Sequence, residues 1–271
     1  VFVNDAYQGA YLMMVPFDRR AEIEKAGAGS AQRDSLYRSV IAAVDKGRPS
    51  DEGYELFIAP DAENPFAGLQ TYFRLDSGDM DDETFCREAA AHIDVPSLMR
   101  YTLLVQGMAL CDNIFNNMYV WAHETAAGVV YRFIPWDMDL SWEKEPGAYW
   151  DCWMIDALAC RVIELDVNGA RGELAAQWRR MNAAGFTIDA VREELALYQH
   201  ELTDSGAFLR DAERWDEMDV SQIEAVAEYR FELLCRLTQA IGEIGEEFRF
   251  ADFETDEECS MQSMADAMAG E

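Results

Sequence analysis

The fold is decided by residues 112–139, which read DNIFNNMYVWAHETAAGVVYRFIPWDMD. An apolar run ends directly before this stretch, so we expect a helix that ends just before Asp112, the first residue of the stretch. Two strand-like runs follow, at residues 118–122 and 129–134, and a short turn that includes Gly128 joins them. The pattern predicts a helix, a polar loop and a β-hairpin in close succession.

The polar residues of this stretch lie on either side of the hairpin. Asn117 follows Asp112 by five positions, and Asp137 and Asp139 come directly after the second strand. Protein kinases have the same order of parts: a catalytic Asp, a magnesium-binding Asn five residues later, and a second metal-binding Asp after a short hairpin. Mg²⁺ prefers carboxylate and amide oxygens and leaves the rest of its shell to water and phosphate. We therefore predict a magnesium–nucleotide site, in which Asp139 ranks below Asp137 as a ligand.

Each of these residues also has an ordinary structural explanation. Asp112 could be a turn residue, Asn116 and Asn117 could cap that turn, and Asp137 could pair with an arginine. The combination is less ordinary, because carboxylates in apolar surroundings are costly without a cation. The grouping therefore favours the site over the separate structural roles.

The chain before this stretch changes pattern near residue 80. Residues 1–15 read as a hairpin, and strand-like runs recur at 35–41 and 54–58, so residues 1–80 are expected to form a partial β-rich N-terminal lobe. Val1 is not a methionine and stands inside a strand-like run, so we expect the natural N terminus to lie upstream.

The remainder of the chain has mainly helical spacing. We predict a helical C-terminal lobe over residues 81–249, into which the catalytic loop and hairpin of residues 111–142 are inserted. Residues 250–271 are acidic and aperiodic, and we expect a largely disordered tail there. The expected fold class is α+β, an atypical protein-kinase-like fold with a small β-rich lobe and a larger helical one.

Composition narrows the classes of partner. The formal net charge of −30 argues against non-specific nucleic-acid binding, which needs Lys and Arg to neutralise phosphates, and favours a cationic partner. No apolar run approaches the ~20 residues that cross a bilayer, so the sequence predicts no membrane span. Six cysteines and three histidines show neither a CxxC pair nor zinc spacing. The sequence indicates no oligomeric state.

Three segments resemble the CotH family, the spore-coat protein H kinases. The segment GMALCDNIFNNMYVWAHETAAGVVYRFIPWDMDLSWE, residues 107–143, resembles the family's pattern of an Asp, a pair of Asn, a short hairpin and an Ile-Pro-Trp-Asp-hydrophobic-Asp close. The opening of the chain resembles the family's first hairpin. The matching residues there are Val3, Asn4, Gly9, Tyr11, Leu12 and Asp18, and Leu36-Tyr37-Arg38 resembles a later Leu-Tyr-Lys strand.

The resemblance implies a metal-dependent kinase that uses ATP with Mg²⁺ or Mn²⁺ and phosphorylates Ser or Thr hydroxyls of a basic protein. It implies that Asp112 is the catalytic Asp, that Asn117 binds metal and nucleotide, and that Asp137 binds the metal. Tyr131 matches an aromatic residue on the strand before Asp137, and either nucleotide contact or core packing is expected for it. A spore, cell-surface or extracellular location is implied by the resemblance alone.

The sequence departs from the family pattern where phosphate should be held. Asp5 and Val15 stand where the family has Gly and Glu, and Lys25, Lys46 and Lys144 are not placed like a phosphate-binding lysine. The family's earlier N-terminal strands would lie before Val1. Arg38 is the candidate for the missing positive charge. The alternatives are therefore a catalytically inactive binding or surface-interaction protein, or transfer to a small molecule.

Overall fold

The computed structural model describes residues 2–3, 6–7, 34–39, 54–58, 66–114, 116–139, 141–142, 156–215 and 222–250. Within these residues a four-stranded antiparallel sheet packs against helices, which confirms the α+β class. The sheet has the order β4-β3-β5-β6, with β3 at Ser35–Ser39, β4 at Tyr54–Ile58, β5 at Met118–Thr125 and β6 at Gly128–Pro135. A separate two-stranded ribbon joins β1, Phe2–Val3, to β2, Ala6–Tyr7.

The hairpin of β5 and β6 is the centre of the fold. Its register runs from Thr125 opposite Gly128 to Met118 opposite Pro135, so the predicted hairpin is confirmed and each strand is longer than expected. Strand β3 pairs along the other edge of β5, with Arg38 opposite Tyr119. A chain segment from the predicted N-terminal lobe therefore completes the sheet that the hairpin begins, and the division into lobes stays a prediction.

Four of the eight described α-helices begin where the sequence supplies a capping side chain. Asp81, Asp94, Asp156 and Thr187 each accept a hydrogen bond from a main-chain N–H three residues later. The helices are α1 Gln70–Asp76, α2 Asp82–His92, α3 Val95–Met108, α4 Ala157–Glu164, α5 Ala170–Ala183, α6 Ile188–Asp204, α7 Ala207–Trp215 and α8 Ile223–Ile244. None of those that the structure describes is both long and apolar enough to cross a bilayer.

Helix α1 was not expected in the β-rich part of the chain. No side chain caps its start, so the usual sequence signal is missing. Tyr72 and Leu75 lie three residues apart and are both buried against the core, which gives α1 its apolar face. Tertiary packing rather than a local signal therefore fixes this helix.

The two faces of the sheet have different surroundings. Tyr131 and Phe133 of β6 face the main core, where α2 and α3 pack against the strand. Leu36, Tyr119 and Trp121 form a second apolar cluster with Ile134 and Trp136. Because successive side chains on a strand alternate between faces, these clusters mark the two sides of one sheet.

The C-terminal end of the described chain belongs to the core. Phe248 and Phe250 are buried and stack edge to face at 5.0 Å, and the Phe250 N–H donates to Glu164 Oε1 at 2.8 Å. Phe250 is the first residue of the predicted tail, so the packed chain extends at least to this residue. Residues 251–271 lie outside the described residues.

Asp76 makes stability depend on pH. Burial, together with the negative charge of Asp156, raises the pKa of Asp76 to about 7. The folded chain therefore holds a proton more tightly than the unfolded chain, and this contribution to stability is lost as pH rises from about 4 through 7. We expect Asp76→Asn to raise the free energy of unfolding at pH 8, by at most about 4 kcal/mol, and to flatten its dependence on pH between 5 and 8. Urea unfolding at several pH values measures this, with the exposed Asp79→Asn as control.

Candidate active site

Helix α3 delivers Asp112 to the site by ending abruptly. Ala109 takes a left-handed conformation with φ of +54°, and the Leu110 N–H returns to the carbonyl of Val105. A single 3₁₀ turn, Asp112–Ile114, follows at once. Asp112 therefore stands on a rigid helix end rather than on a long loop.

Asn113 ties this turn to both strands of the hairpin. Its side chain is buried, and its amide Nδ2 donates to the carbonyl oxygens of Asn117 at 2.9 Å and Trp136 at 2.8 Å. The Tyr101 hydroxyl of α3 donates to the carbonyl oxygen of Asn113 at 2.5 Å. The residue thereby fixes the distance between the Asp112–Ile114 turn and the end of the hairpin.

We expect Asn113→Ala to lower the free energy of unfolding by about 1–3 kcal/mol, because the part-buried carbonyls of Asn117 and Trp136 each lose a hydrogen bond. Asn113→Asp should be at least as damaging, since it keeps the shape but turns the donor into an acceptor. Asn116→Ala is the matched control, because that amide only approaches Asp112 at 3.4 Å. Urea unfolding distinguishes the three variants, and equal losses for Asn113→Ala and Asn116→Ala would contradict the tie.

The structure brings Asp112 and Asn117 into direct contact. Asn117 Nδ2 donates to Asp112 Oδ2 at 2.6 Å, and the Asn116 amide lies within 3.5 Å of both Asp112 oxygens. Burial raises the pKa of Asp112 above its ordinary value, and the charges of Asp139 and Asp137 raise it further, against the two Asn hydrogen bonds. The carboxylates of Asp137 and Asp139 are therefore close enough to Asp112 to disfavour its ionised form.

Asp137 reaches the same place from the end of β6. The Trp136 N–H donates to the Asn117 carbonyl at 2.9 Å, and Asn117 Nδ2 lies 3.5 Å from the carbonyl oxygen of Asp137. Asn117 and Asp137 both have left-handed backbones, with φ of +49° and +51°. This conformation costs a residue with a side chain roughly 1–2 kcal/mol, and such strain clusters at functional sites.

The donor set suits a hard divalent cation that also binds phosphate. Because Asn117 Nδ2 points at Asp112, the amide oxygen of Asn117 points away from that carboxylate. Asp137 and Asp139 are exposed, and both carboxylates are close enough to act on the charge of Asp112. Among the described residues, no three His, Cys, Asp or Glu side chains converge as a closed metal cage. Mg²⁺ is usually held by one or two carboxylates together with phosphate oxygens, so an open set of this kind fits it.

Tyr131 is not brought to this cluster. Its ring is buried on the helical face of the sheet, 5.6 Å from the ring of Tyr72, and its hydroxyl donates to the carbonyl of Gly68 at 2.5 Å. The Tyr72 N–H donates to the same hydroxyl at 3.2 Å. Of the two roles expected for Tyr131, the contacts support core packing, and nucleotide contact stays a prediction.

Arg38 lies on the opposite face of the sheet from Tyr131. Its neighbours along β3 alternate, since Tyr37 belongs to the main core and Leu36 to the second apolar cluster. Arg38 pairs in register with Tyr119, and its guanidinium binds the Glu55 carboxylate at 2.6 Å. Along the chain, Asn117 lies two residues before Tyr119, just outside the start of β5.

Two contributors to the site were missed from the sequence. Asn113 stands inside the DNIFNN run, but a buried Asn that bridges two strands has no sequence signature distinct from a turn Asn. Glu55 becomes Arg38's partner only through the register of β3 and β4, in which the two residues are opposite each other. Had the pairing of β3 with β4 been known, an Arg directly opposite a Glu would have indicated this ion pair.

Comparison with known families agrees with this geometry. The family model described as CotH kinase protein matches residues 1–233 of the 271-residue chain. The match includes the α3 end, the hairpin and all the candidate site residues. Among curated proteins, no relative matches the sequence. The chain belongs to the CotH kinase protein family.

Proposed function

We propose that this protein transfers the γ-phosphate of ATP to a Ser or Thr hydroxyl of a basic protein, in the presence of Mg²⁺ or Mn²⁺. The observation that carries the proposal is the 2.6 Å contact between Asn117 Nδ2 and Asp112 Oδ2, with the main-chain carbonyl oxygen of Asp137 3.5 Å from the same nitrogen. One amide nitrogen thus contacts the carboxylate of Asp112 and the main chain of Asp137, the two acidic residues to which a kinase mechanism gives the catalytic and metal-binding roles.

Asp112 would orient the attacking hydroxyl and accept its proton. Its carboxylate is already held by Asn117 and approached by Asn116, so little reorganisation is needed when substrate arrives. Asp137, the Asn117 amide oxygen and, secondarily, Asp139 would hold the metal. When bound, the metal ion supplies positive charge that neutralises the phosphate oxygens.

Arg38 is the proposed phosphate contact in place of a lysine. It shares a sheet face with Tyr119 and Trp136, whose rings meet edge to face at 5.7 Å beside the Asp137 segment. Glu55 holds the guanidinium at 2.6 Å, as a Glu holds the phosphate-binding Lys of kinases. The difference from Lys is a fork of donors that can bind two phosphate oxygens at once.

We expect Arg38→Met to raise KM for ATP about tenfold or more, because hydrogen bonds to charged groups contribute about 1.5–3 kcal/mol. Glu55→Gln should have a smaller effect, since the guanidinium keeps its charge. Arg74→Met is a matched control on the exposed side of α1. Steady-state kinetics with varied ATP measures the three values, and an unchanged KM in Arg38→Met would exclude the assigned contact.

The direct test follows labelled phosphate from [γ-³²P]ATP to a synthetic Lys- and Arg-rich peptide that contains one Ser. Transfer to this peptide, none to its Ser→Ala analogue and a rate at least about a hundredfold lower with Asp112→Asn would support the proposal. ATP binding without transfer to any basic protein or peptide would instead support the second candidate, a nucleotide-binding interaction module. That candidate is favoured by the sequence, in which Lys25, Lys46 and Lys144 are not placed like a phosphate-binding lysine.

A further inference from the structure

Within the part of the chain that the structure describes, helix α6 is covered along only part of its length. Val191 is buried, and Ile188 and Leu195 pack partly against the core. Beyond Leu195 every residue from 196 to 205 is exposed except Leu202, which is half-buried. The C-terminal half of α6 therefore projects from the body of the protein, although a helix stabilised by packing would ordinarily keep its apolar stripe covered.

This projecting part carries large apolar side chains in water. Leu197 is 49% exposed and Tyr198 is 52% exposed. Tyr198 continues the stripe of Val191 and Leu195 at helical spacing, so it lies on the face that packs against the core nearer the start of the helix. Leu209, close to the start of α7, is 69% exposed. We call residues 196–209 the α6–α7 arm.

The charges around the arm are mostly negative. Arg192, the one arginine of α6, is bound by Glu224 at 2.7 Å and by Glu228 at 3.1 Å. The only other basic side chain on the helix, His200, lies 3.4 Å from Asp204. The acidic residues of α6 are Asp189, Glu193, Glu194, Glu201 and Asp204. An apolar stripe thus runs beside an acidic one.

We propose that the α6–α7 arm docks a basic amphipathic segment of the protein substrate. The proposal rests on the proposed function and adds a recognition site to it. An amphipathic segment would lay its apolar residues on Tyr198 and Leu197, and its Lys and Arg would meet Glu194 and Glu201. A second copy of this chain is disfavoured as the occupant, because each copy carries a net charge of −30.

Binding of a defined probe tests the docking site without requiring catalysis. The probe is a fluorescent 18-residue peptide with Leu at helical spacing and Lys elsewhere, and its affinity is measured by anisotropy in the absence of ATP. We expect the double variant Leu197→Ser, Tyr198→Ser and the double variant Glu194→Gln, Glu201→Gln each to weaken binding about tenfold or more. Ile244→Ser and Glu83→Gln are matched controls, exposed and outside the arm, that should bind as the wild type does.

The result that overturns the proposal is unchanged affinity in both double variants, or equal affinity for a peptide with Glu in place of Lys. Circular dichroism melting shows whether each variant is folded. If the Ser variant unfolds, the charge variant still tests the docking site, because it leaves the apolar side chains unchanged. The same titration is repeated with Asp112→Asn, which should bind the peptide as the wild type does because Asp112 lies outside the arm.

The outcomes for docking and for catalysis can be told apart. Normal docking with no phosphate transfer by the wild type would keep the docking site and refute the kinase proposal, whereas transfer without docking would do the reverse.

Discussion

Asp112→Asn is expected to lower kcat for phosphate transfer about 10²–10⁴-fold, the range that a positioned proton acceptor contributes. The Asn side chain keeps the size of Asp112 and can still meet Asn117, whose amide now lies 2.6 Å from the carboxylate. The affinity for ATP with Mg²⁺ should therefore change by less than about threefold, because Asp137 and Arg38 are untouched. Single-turnover transfer and equilibrium binding measure the two quantities separately.

The control for Asp112→Asn is Asp79→Asn, which removes an exposed carboxylate outside the site. Transfer by Asp112→Asn at the wild-type rate would refute the role of proton acceptor. A loss of ATP affinity that parallels the loss of rate would assign Asp112 to metal binding instead.

Asp137→Asn is expected to raise the Mg²⁺ concentration for half-maximal transfer by about tenfold to a hundredfold. Asn offers the metal one neutral oxygen where Asp offers a charged carboxylate. Asp139→Asn should have a smaller effect, because we rank Asp139 below Asp137 as a metal ligand. Initial rates at fixed ATP and varied Mg²⁺, repeated with Mn²⁺, give the comparison.

The ranking of the two carboxylates is exposed to a clear contradiction. A larger rise in the Mg²⁺ concentration for half-maximal transfer in Asp139→Asn than in Asp137→Asn would make Asp139 the main metal ligand. Rates equal to those of the wild type in both variants, across the whole Mg²⁺ range, would show that neither carboxylate binds the metal. Met138→Ala, between them in sequence, serves as the control for disturbance of the local backbone.

The local parts of the fold follow from the sequence because each has a local cause. Asp81 and Asp94 cap their helices through their own side chains. The alternation of apolar residues in 118–135 and a two-residue turn fix the hairpin. Helix α1 has no such cause, and its existence depends on distant residues that bury Tyr72 and Leu75. It is therefore the element that the pattern missed.

The sequence predicted the types of residue in the candidate site, but not the face of the sheet on which each strand residue lies. The order of Asp112, Asn117 and Asp137 along the chain already implies that a helix end and a hairpin end meet. Whether a strand residue faces this meeting point depends on register, which one sequence does not specify. Tyr131 and Arg38 show the consequence, because both were nucleotide candidates and they lie on opposite faces of one sheet.

Buried positioning residues are the least visible from sequence. Asn113 makes its two hydrogen bonds to backbone carbonyls that are distant along the chain or across the turn. The amino-acid type is compatible with any turn, and the bonds exist only once the hairpin has closed over α3. The same holds for Glu55, since its contact with Arg38 requires β3 and β4 to be paired.

The central claim is that residues 112–139 bind ATP together with a divalent metal, and equilibrium dialysis of labelled ATP tests it most directly. We predict one nucleotide bound per chain with Mg²⁺ or Mn²⁺, strongly reduced binding when EDTA removes the metal, and the same reduction in Asp137→Ala with metal present. Absence of binding with either metal, or binding by Asp137→Ala equal to that of the wild type, would contradict the claim.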